Sequence, residues 1–406
     1  MQKKQVVFIE GFPTAMVYKI AKEFRKRGYE TVLIRILKAN NENYGFYKQA
    51  YDKIIDIDIP YVSLNKKNFL KIVWMFFRQG GKIFSAFLKI FKLKPYIVFG
   101  RAPISVPIAF FRIFFKKSAF VYFPYDIRRQ AFPNLKIAKK NIGFFEMIAD
   151  NYCFEHSDGI LHKGASYELK DLQKRKLIDL SKLPKHEVSI YPYCSKDFIV
   201  PFNKNKLSKK DGEIHMVYVG GTGKKNEKFY FEQLKSVDML IKKGIHAHFH
   251  FGSEISSDEE REREELVKKN FFEKYKDIQG INYFHLEKSF NAKDIAREIS
   301  KYDFGFWPEC EYDVRLATGN KFSTFIEAGI PFFYFKKHEI NDEIAKEYGL
   351  GILHADGVKN FKEFISKLDY DKLIEGVKKA RENYLMEKHF SRLEEFVERV
   401  VRGKRG

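Results

Sequence analysis

Cysteine is scarce in this chain: Cys153, Cys194 and Cys310 are widely spaced in 406 residues and form no C-x-x-C pair. That argues against a disulfide scaffold or a structural zinc module and fits a reducing, cytoplasmic setting. Long apolar runs are missing too. Val6-Val7-Phe8-Ile9, following a short polar start, is too brief for a secretory signal and has the length of a buried strand. No stretch approaches the ~20 apolar residues that cross a bilayer. The turn Gly11-Phe12-Pro13-Thr14-Ala15 lacks the G-x-G-x-x-G spacing, and no acidic residue is suitably placed after the second apolar run. An NAD-type cofactor is therefore not expected. Helix-turn-helix, zinc-finger and RNA-recognition patterns are also absent, so nucleic acid is not an expected partner.

What the chain does have is apolar mass and positive charge. Hydrophobic residues make up 45% and aromatics 17%, enough to build sizeable cores, and 406 residues favour two domains. Lys plus Arg total 74 against 53 acidic residues, for a net charge of +21, and much of the excess lies in the first half. Between Lys66 and Lys94, Phe69, Ile72, Val73, Phe76, Phe77, Ile83, Phe84, Phe87, Leu88 and Phe91 recur at helical spacing among eight basic residues. Such a stretch can lie on an anionic membrane surface, each Lys or Arg contributing about 1 kcal/mol, or it can be a core helix pair with a solvated basic rim. Phe110-Phe111-Arg112-Ile113-Phe114-Phe115-Lys116-Lys117 repeats the pattern.

Short apolar runs alternate with helical periodicity. Strands are expected at Val6–Ile9, Thr31–Ile36, Ile54–Ile57, Tyr96–Gly100, Ala119–Tyr122 and Gly159–His162, with a helix over Thr14–Arg27 closed by Gly28. This alternation specifies a parallel sheet covered by helices on both faces. Tyr191-Pro192-Tyr193, Pro201 and the lysine-rich 204–210 interrupt it, which places a linker there. The pattern then restarts with strands at Ile214–Val219, His246–Phe251, Ile281–Phe284, Phe304–Trp307 and Pro331–Phe335. Helices fall at 228–243, 258–276, 292–301 and 321–328, and a long charged helical tail covers 373–401. The resulting division is 1–195, a linker at 196–212, 213–378, and a final helix at 379–406.

Two motifs in the second half carry chemistry. Val219-Gly220-Gly221-Thr222-Gly223-Lys224-Lys225 follows a strand, and Asn320-Lys321-Phe322-Ser323-Thr324-Phe325-Ile326-Glu327-Ala328-Gly329-Ile330-Pro331 opens a helix. Glycines let backbone N–H groups approach closely, a helix start offers more, and a lysine neutralises charge. That combination suits a bound diphosphate.

From about Glu146 onward the order of segments resembles the glycosyltransferases of GT-B fold, in particular the large group acting on nucleotide-diphosphate sugars. The resemblance is carried by Glu146-x-x-x-Asp150 before Asp158-Gly159-Ile160-Leu161, by Met216-Val217-Tyr218-Val219-Gly220-Gly221, and by Ile299 to Pro308. Asn320-Lys321-Phe322 with Ala328-Gly329-Ile330-Pro331, and Tyr348-Gly349-Leu350-Gly351-Ile352, complete it. It implies two doubly wound Rossmann-like domains facing across a cleft, the second holding the sugar nucleotide and the first the acceptor. It further implies a C-terminal helix that crosses back to the first domain. By resemblance Gly220, Gly221, Thr222 and Gly223 approach the diphosphate, and Lys224, Lys225 and Lys321 neutralise it as charge builds on the leaving group. Many relatives place an acid five residues before the glycine of Ala-Gly-x-Pro to hold the ribose. Here that residue is Thr324, leaving Thr324, Glu327 or Glu309 for the task.

For catalysis, Asp126 in Phe123-Pro124-Tyr125-Asp126 is the candidate base for the acceptor's proton, the alternative being a turn cap. Gly11 and His162, each ending a first-domain strand, are candidates for the acceptor side. His246, His248 and His250 share one strand face and could in principle bind zinc, while Asp56-Ile57-Asp58 sits in the wrong domain for a metal-binding role. No metal or cofactor is expected. The function expected is a hexosyltransferase-type glycosyltransferase of polysaccharide or glycoconjugate synthesis, peripheral on the inner face of the membrane, with a glycan or lipid-linked acceptor. The alternatives are a sugar-nucleotide epimerase of the same fold, or a non-catalytic glycan- or nucleic-acid-binding protein.

Overall fold

The computed structural model describes residues 3–11, 14–37, 43–59, 81, 88–90, 92–101, 105–111, 117–124, 127, 129, 132, 134–142, 144–220, 237–250, 265, 269, 273, 281–287, 290, 293–307, 319–334, 339–350, 353–354 and 360–405. The chain divides into two compact units. The first is built on Met1–Asn40, Tyr44–Tyr191 and Met386–Gly406, and the second on Pro192–Leu385.

In the first unit seven strands form one sheet: β1 Gln5–Glu10, β2 Glu30–Leu37, β3 Lys53–Ile59, β4 Ile97–Gly100, β5 Ala119–Tyr122, β6 Gly159–His162 and β7 Glu187–Ser189. The order is β3-β2-β1-β4-β5-β6-β7, and every pairing is parallel. β4, β5 and β6 are buried along their whole length, as central strands with both faces covered must be. The short edge strand β7 is not among the strands expected from sequence.

Helix α1, Ala15–Lys26, follows β1. Thr14 caps its start, accepting from the Val17 N–H, and Gly28 at φ +85° lets the chain turn away at its end. It buries Met16, Val17, Ile20, Ala21 and Phe24, the stripe that 3.6-residue periodicity provides. Phe24 packs edge-on to Phe390 at 4.7 Å.

Further along, α2 spans Phe144–Glu155 and α3 Ser208–Asp211. The second unit also contains α4, Asn320–Ala328, and α5, Tyr370–Asn383, whereas α6, Met386–Arg405, belongs to the first. The single tail helix expected from sequence is thus two helices broken at Tyr384 and Leu385. Both residues are buried, and Leu385 bridges to Cys194 within the second unit.

Helix α6 turns Phe390, Leu393, Phe396, Val397, Val400 and Val401 into the first unit's core. A Cβ at Gly159 would stand 2.8 Å from Val400 Cγ2 and 2.9 Å from the Phe396 ring, so the glycine of Asp158-Gly159 is what lets α6 approach β6. Lys404 pairs with Asp158 at 3.2 Å and Arg27 with Glu394 at 2.7 Å. These exposed or part-exposed pairs add at most about 1 kcal/mol each, so the apolar contacts dominate.

The sequence motif Glu146-x-x-x-Asp150 serves packing. Asp150 accepts from Arg129 at 2.8 Å and from the Tyr122 hydroxyl. Burial raises the pKa of both Asp150 and Tyr122.

The second unit repeats the plan with β8 His215–Val219, β9 His246–His250, β10 Phe284–Leu286, β11 Phe304–Trp307, β12 Phe332–Tyr334 and β13 Leu353–His354. Its order is β10-β9-β8-β11-β12-β13, all parallel. Residues Ile281–Tyr283 form a 3-10 turn rather than the start of a strand, so β10 begins at Phe284. Met216, Tyr218, Phe249, Phe304, Phe306, Phe333 and Phe361 make the core on one face of this sheet. On the other face Gly305 leaves room for Phe325 of α4, whose ring carbons would lie 2.6 Å from a Cβ there. Asp303, just before β11, accepts from the backbone N–H of His215 at 2.9 Å and from the Ser208 hydroxyl, tying β11 to β8 and α3.

Among the described residues no helix is long and apolar enough to cross a membrane. Most of the basic 66–94 stretch lies outside the described residues. Of it, Leu88 is exposed.

Candidate functional site

The strand order of the second sheet reverses direction between β8 and β11, and in open parallel sheets the crevice outside the carboxyl ends at such a point is where ligands bind. Gly220 stands directly after β8, its N–H donating to the His250 carbonyl at 3.0 Å. Trp307 ends β11, and α4 opens at Asn320 with Gly319 as its first flanking residue.

Lys321, in the first turn of α4, reaches Gly220. A Cβ added to Gly220 would lie 2.5 Å from Lys321 Cε, 2.9 Å from Nζ and 2.7 Å from the Tyr218 hydroxyl. The ammonium is 4.8 Å from the centre of the Tyr218 ring and 5.3 Å from that of Trp307. Among the described residues it meets these two aromatic faces and no carboxylate. Gly319 packs on the same indole, where a Cβ would fall 2.6 Å from Trp307 Cη2. The result is a cation held over aromatic rings beside the head of a helix, whose first N–H groups have no intrahelical acceptors. That arrangement can take a phosphate.

The remaining residues singled out from sequence divide into three sets. Asn320 is exposed at the head of α4, one position from Lys321. Thr324 turns its hydroxyl back onto the Asn320 carbonyl at 2.9 Å, as Ser323 does. Glu327 is buried near the far end of α4, about 10 Å along the axis from Asn320. One of its carboxylate oxygens accepts from the Ser195 N–H at 3.0 Å, so the structure does not bring it to Lys321. Gly221, Thr222, Gly223, Lys224, Lys225, Glu309 and Asp126 lie outside the described residues. Tyr218 and Trp307 are the members that sequence reasoning missed. Both stand inside quoted motifs, and the signal was an aromatic two residues before Gly220 and another directly before Pro308.

On the first unit, Gly11 follows β1 and His162 ends β6, both at the carboxyl edge of the sheet. β4 and β5 separate them, and three inter-strand steps put them roughly 14 Å apart. His162 is 1% exposed, and its Nδ1 lies 2.9 Å from Glu168 Oε2, so this imidazole is held by an internal partner. A cavity of about 260 Å³ opens beside it, bordered by Ser166, Ser189, Arg392 and Arg399.

His246, His248 and His250 do project from one face of β9, but each finds a different partner. His250 Nε2 lies 2.9 Å from the Tyr302 hydroxyl, His248 sits between His215 and Glu287, and His246 faces His285. The trio read from sequence is therefore not a single coordination set.

No protein-family model and no curated protein matches the chain. Solved structures do. Sucrose-phosphate synthase from Thermosynechococcus elongatus superimposes with a TM-score of 0.71 at 10% identity, covering 99% of this chain and 100% of that one. TarM gives 0.63 at 9% identity, covering 98% and 99%. HepE of Anabaena, solved in complex with UDP-glucose, gives 0.59 at 12% identity, covering 98% of each chain. At such identities the likeness speaks to architecture. With two doubly wound parallel sheets and a last helix returned to the first unit, this chain has the GT-B fold.

Proposed function

We propose that the chain is a glycosyltransferase moving a sugar from a nucleotide diphosphate to a glycan or lipid-linked acceptor. The observation that carries this reading is Lys321 held against Gly220 over Tyr218 and Trp307 at the carboxyl ends of β8 and β11. As the bond from sugar to diphosphate breaks, negative charge collects on the departing phosphate. A fixed ammonium and the amides at the head of α4 stabilise that charge more than they stabilise the bound donor, which is how such groups lower a barrier. HepE, which shares the fold, is solved with UDP-glucose and with UDP. In this reading Gly221, Thr222, Gly223, Lys224 and Lys225 continue the diphosphate cradle begun at Gly220. Asn320, Thr324 and Glu309 serve the nucleotide or sugar hydroxyls, and Asp126 accepts the acceptor's proton. The positive charge is the protein's own, so a chelator leaves nucleotide binding unchanged.

The test is calorimetric titration of the full chain with UDP, GDP and their sugar conjugates. Saturable binding of one nucleoside diphosphate, followed by release of that nucleotide when donor and acceptor are mixed, is expected. Failure of every nucleotide to bind, with binding only to RNA or DNA that weakens steeply with salt, overturns the proposal. The basic aromatic stretch at 66–94 supports a membrane-borne acceptor. Flotation with anionic liposomes tests that part, and protein left at the bottom of the gradient rejects it.

A further inference from the structure

At the opposite, amino-terminal edge of the second sheet, about five residues back along β8 from Gly220, Asp211, His215 and His246 meet, and His248, His285 and Glu287 continue the cluster across the sheet face. Asp211 Oδ2 lies 2.9 Å from His215 Nε2, His215 Nδ1 lies 2.9 Å from His248 Nε2, and His248 Nδ1 lies 2.7 Å from Glu287 Oε1. Alongside, His246 stacks on His215 at 4.4 Å and sets its Nδ1 2.8 Å from His285 Nε2.

The protons of this chain can be counted. An ionised carboxylate only accepts, so His248 carries its proton on Nδ1, toward Glu287, and its Nε2 is an acceptor. His215 must then donate from Nδ1. A neutral His215 has no second proton, and its Nε2 lone pair points at the Asp211 oxygen, itself an acceptor. A proton or a metal ion held at that nitrogen removes the clash of lone pairs with the Asp211 oxygen 2.9 Å away. In the tautomer in which His246 donates from Nδ1 to His285, the Nε2 of that ring carries a second lone pair.

We propose that Asp211, His215 and His246 bind a transition-metal ion of the zinc type. One ligand atom from each of the three lies within 4.8 Å of the others. A tetrahedral zinc with N and O ligands at about 2.0–2.2 Å holds its ligand atoms about 3.4 Å apart, so the Asp211–His215 pair opens by about 0.5 Å from 2.9 Å and the other separations close by no more than ~1.4 Å. Each ligating imidazole already has what a metal-bound histidine needs, an acceptor for its other N–H: His248, backed by Glu287, for His215, and His285 for His246. The turn is built to aim the carboxylate. Gly212 at φ +76° ends α3, and the Glu213 N–H fixes the other oxygen of Asp211 at 2.9 Å. Asp211 is exposed, which leaves the ion a path from solvent. The site joins α3, β8 and β9 within one unit and is separate from the nucleotide site proposed above.

The test uses the full chain stripped by chelator and titrated with Zn²⁺, then with Co²⁺. One saturating equivalent per chain is expected, and Co²⁺ should give the intense visible bands of a four-coordinate ion. Asp211→Asn and His215→Gln each weaken binding at least about tenfold, while His186→Gln, outside the cluster, does not. Glu287→Gln, which touches no metal, weakens it roughly 10–100-fold by loosening His215 through His248. Circular dichroism melts of the stripped variants separate lost ligands from lost folding, and Asp211→Asn, a surface change, keeps the test available if His215→Gln unfolds. Absence of a one-to-one site, or affinity unchanged in Asp211→Asn, overturns the proposal and leaves a proton as the cation between Asp211 and His215.

Discussion

Substituting Gly220 by alanine adds one methyl group, and the structure says where it goes. It would stand 2.5 Å from Lys321 Cε, 2.9 Å from Nζ and 2.7 Å from the Tyr218 hydroxyl, where carbon contacts settle near 3.5–4.0 Å. The lysine end is the part that can yield, so it swings aside by about 1 Å or more. Charge-assisted hydrogen bonds form at about 2.7–2.9 Å and are effectively gone beyond 3.5 Å, so the displaced ammonium loses its phosphate. Such a bond contributes about 1.5–3 kcal/mol, which converts to roughly 10- to 150-fold in affinity for the nucleoside diphosphate. Lys321→Ala should cost a similar factor. Because both changes remove one interaction, Gly220→Ala with Lys321→Ala together should lose little more than either alone. Calorimetry on the four proteins gives the cycle, and thermal melts within about 1 kcal/mol of the parent show that the fold is kept. Wild-type affinity in Gly220→Ala, or losses that add in full, would refute the placement of Lys321 as the phosphate's partner.

Other expectations follow from packing and burial. Gly159→Ala pushes a methyl group against Val400 and Phe396 and should destabilise the first unit by about 1–3 kcal/mol in a denaturant melt, with nucleotide affinity unchanged. Arg129→Met leaves the part-buried Asp150 without its cation, and a loss of about 2–4 kcal/mol is expected, detectable as a lower unfolding midpoint. Lys206 donates to the carbonyls of Ser300 and Tyr302, both at 2.8 Å, and burial lowers its pKa from 10.5 to about 8. Above pH 8 the folded protein therefore releases a proton that the unfolded chain still holds, so stability rises with pH in that window. Measured against Lys206→Met, wild-type stability should gain about 1.5 kcal/mol between pH 8 and 9.5, and a flat difference would contradict the shift.

The central strands were legible because burial on both faces leaves continuous apolar runs. β5, β6 and β11 fall where the sequence places them, and β8, β9 and β12 differ at their ends. What failed were short edges and breaks. β7 has three residues and one exposed end, too few to show a period, and β13 has two. The α5–α6 break depends on Tyr384 and Leu385 finding partners some 190 residues away in sequence, which no local pattern reports. At the candidate site, Gly220 and Lys321 were singled out because a glycine at a strand end and a lysine at a helix head suit a phosphate, and the structure brings the two together. The aromatic bed beneath the lysine was not, since Tyr218 and Trp307 read equally well as core. Glu327 shows the same limit: an acid near an Ala-Gly turn reads as functional, and no local pattern reports that one of its carboxylate oxygens meets the main-chain N–H of Ser195.

The place of α6 also governs the order in which a ribosome can finish this molecule. The sheet of the first unit is fully synthesised by Tyr191, but the aromatic and aliphatic side chains that close its face, Phe390, Phe396 and Val400 among them, arrive roughly 195 residues later. At 5–20 residues per second that is an interval of about 10–40 s. For that time the first half of the nascent polypeptide carries an uncovered greasy seam beside Phe24 and Gly159, while the second half is still being made. The amino-terminal portion is thus the later of the two to mature.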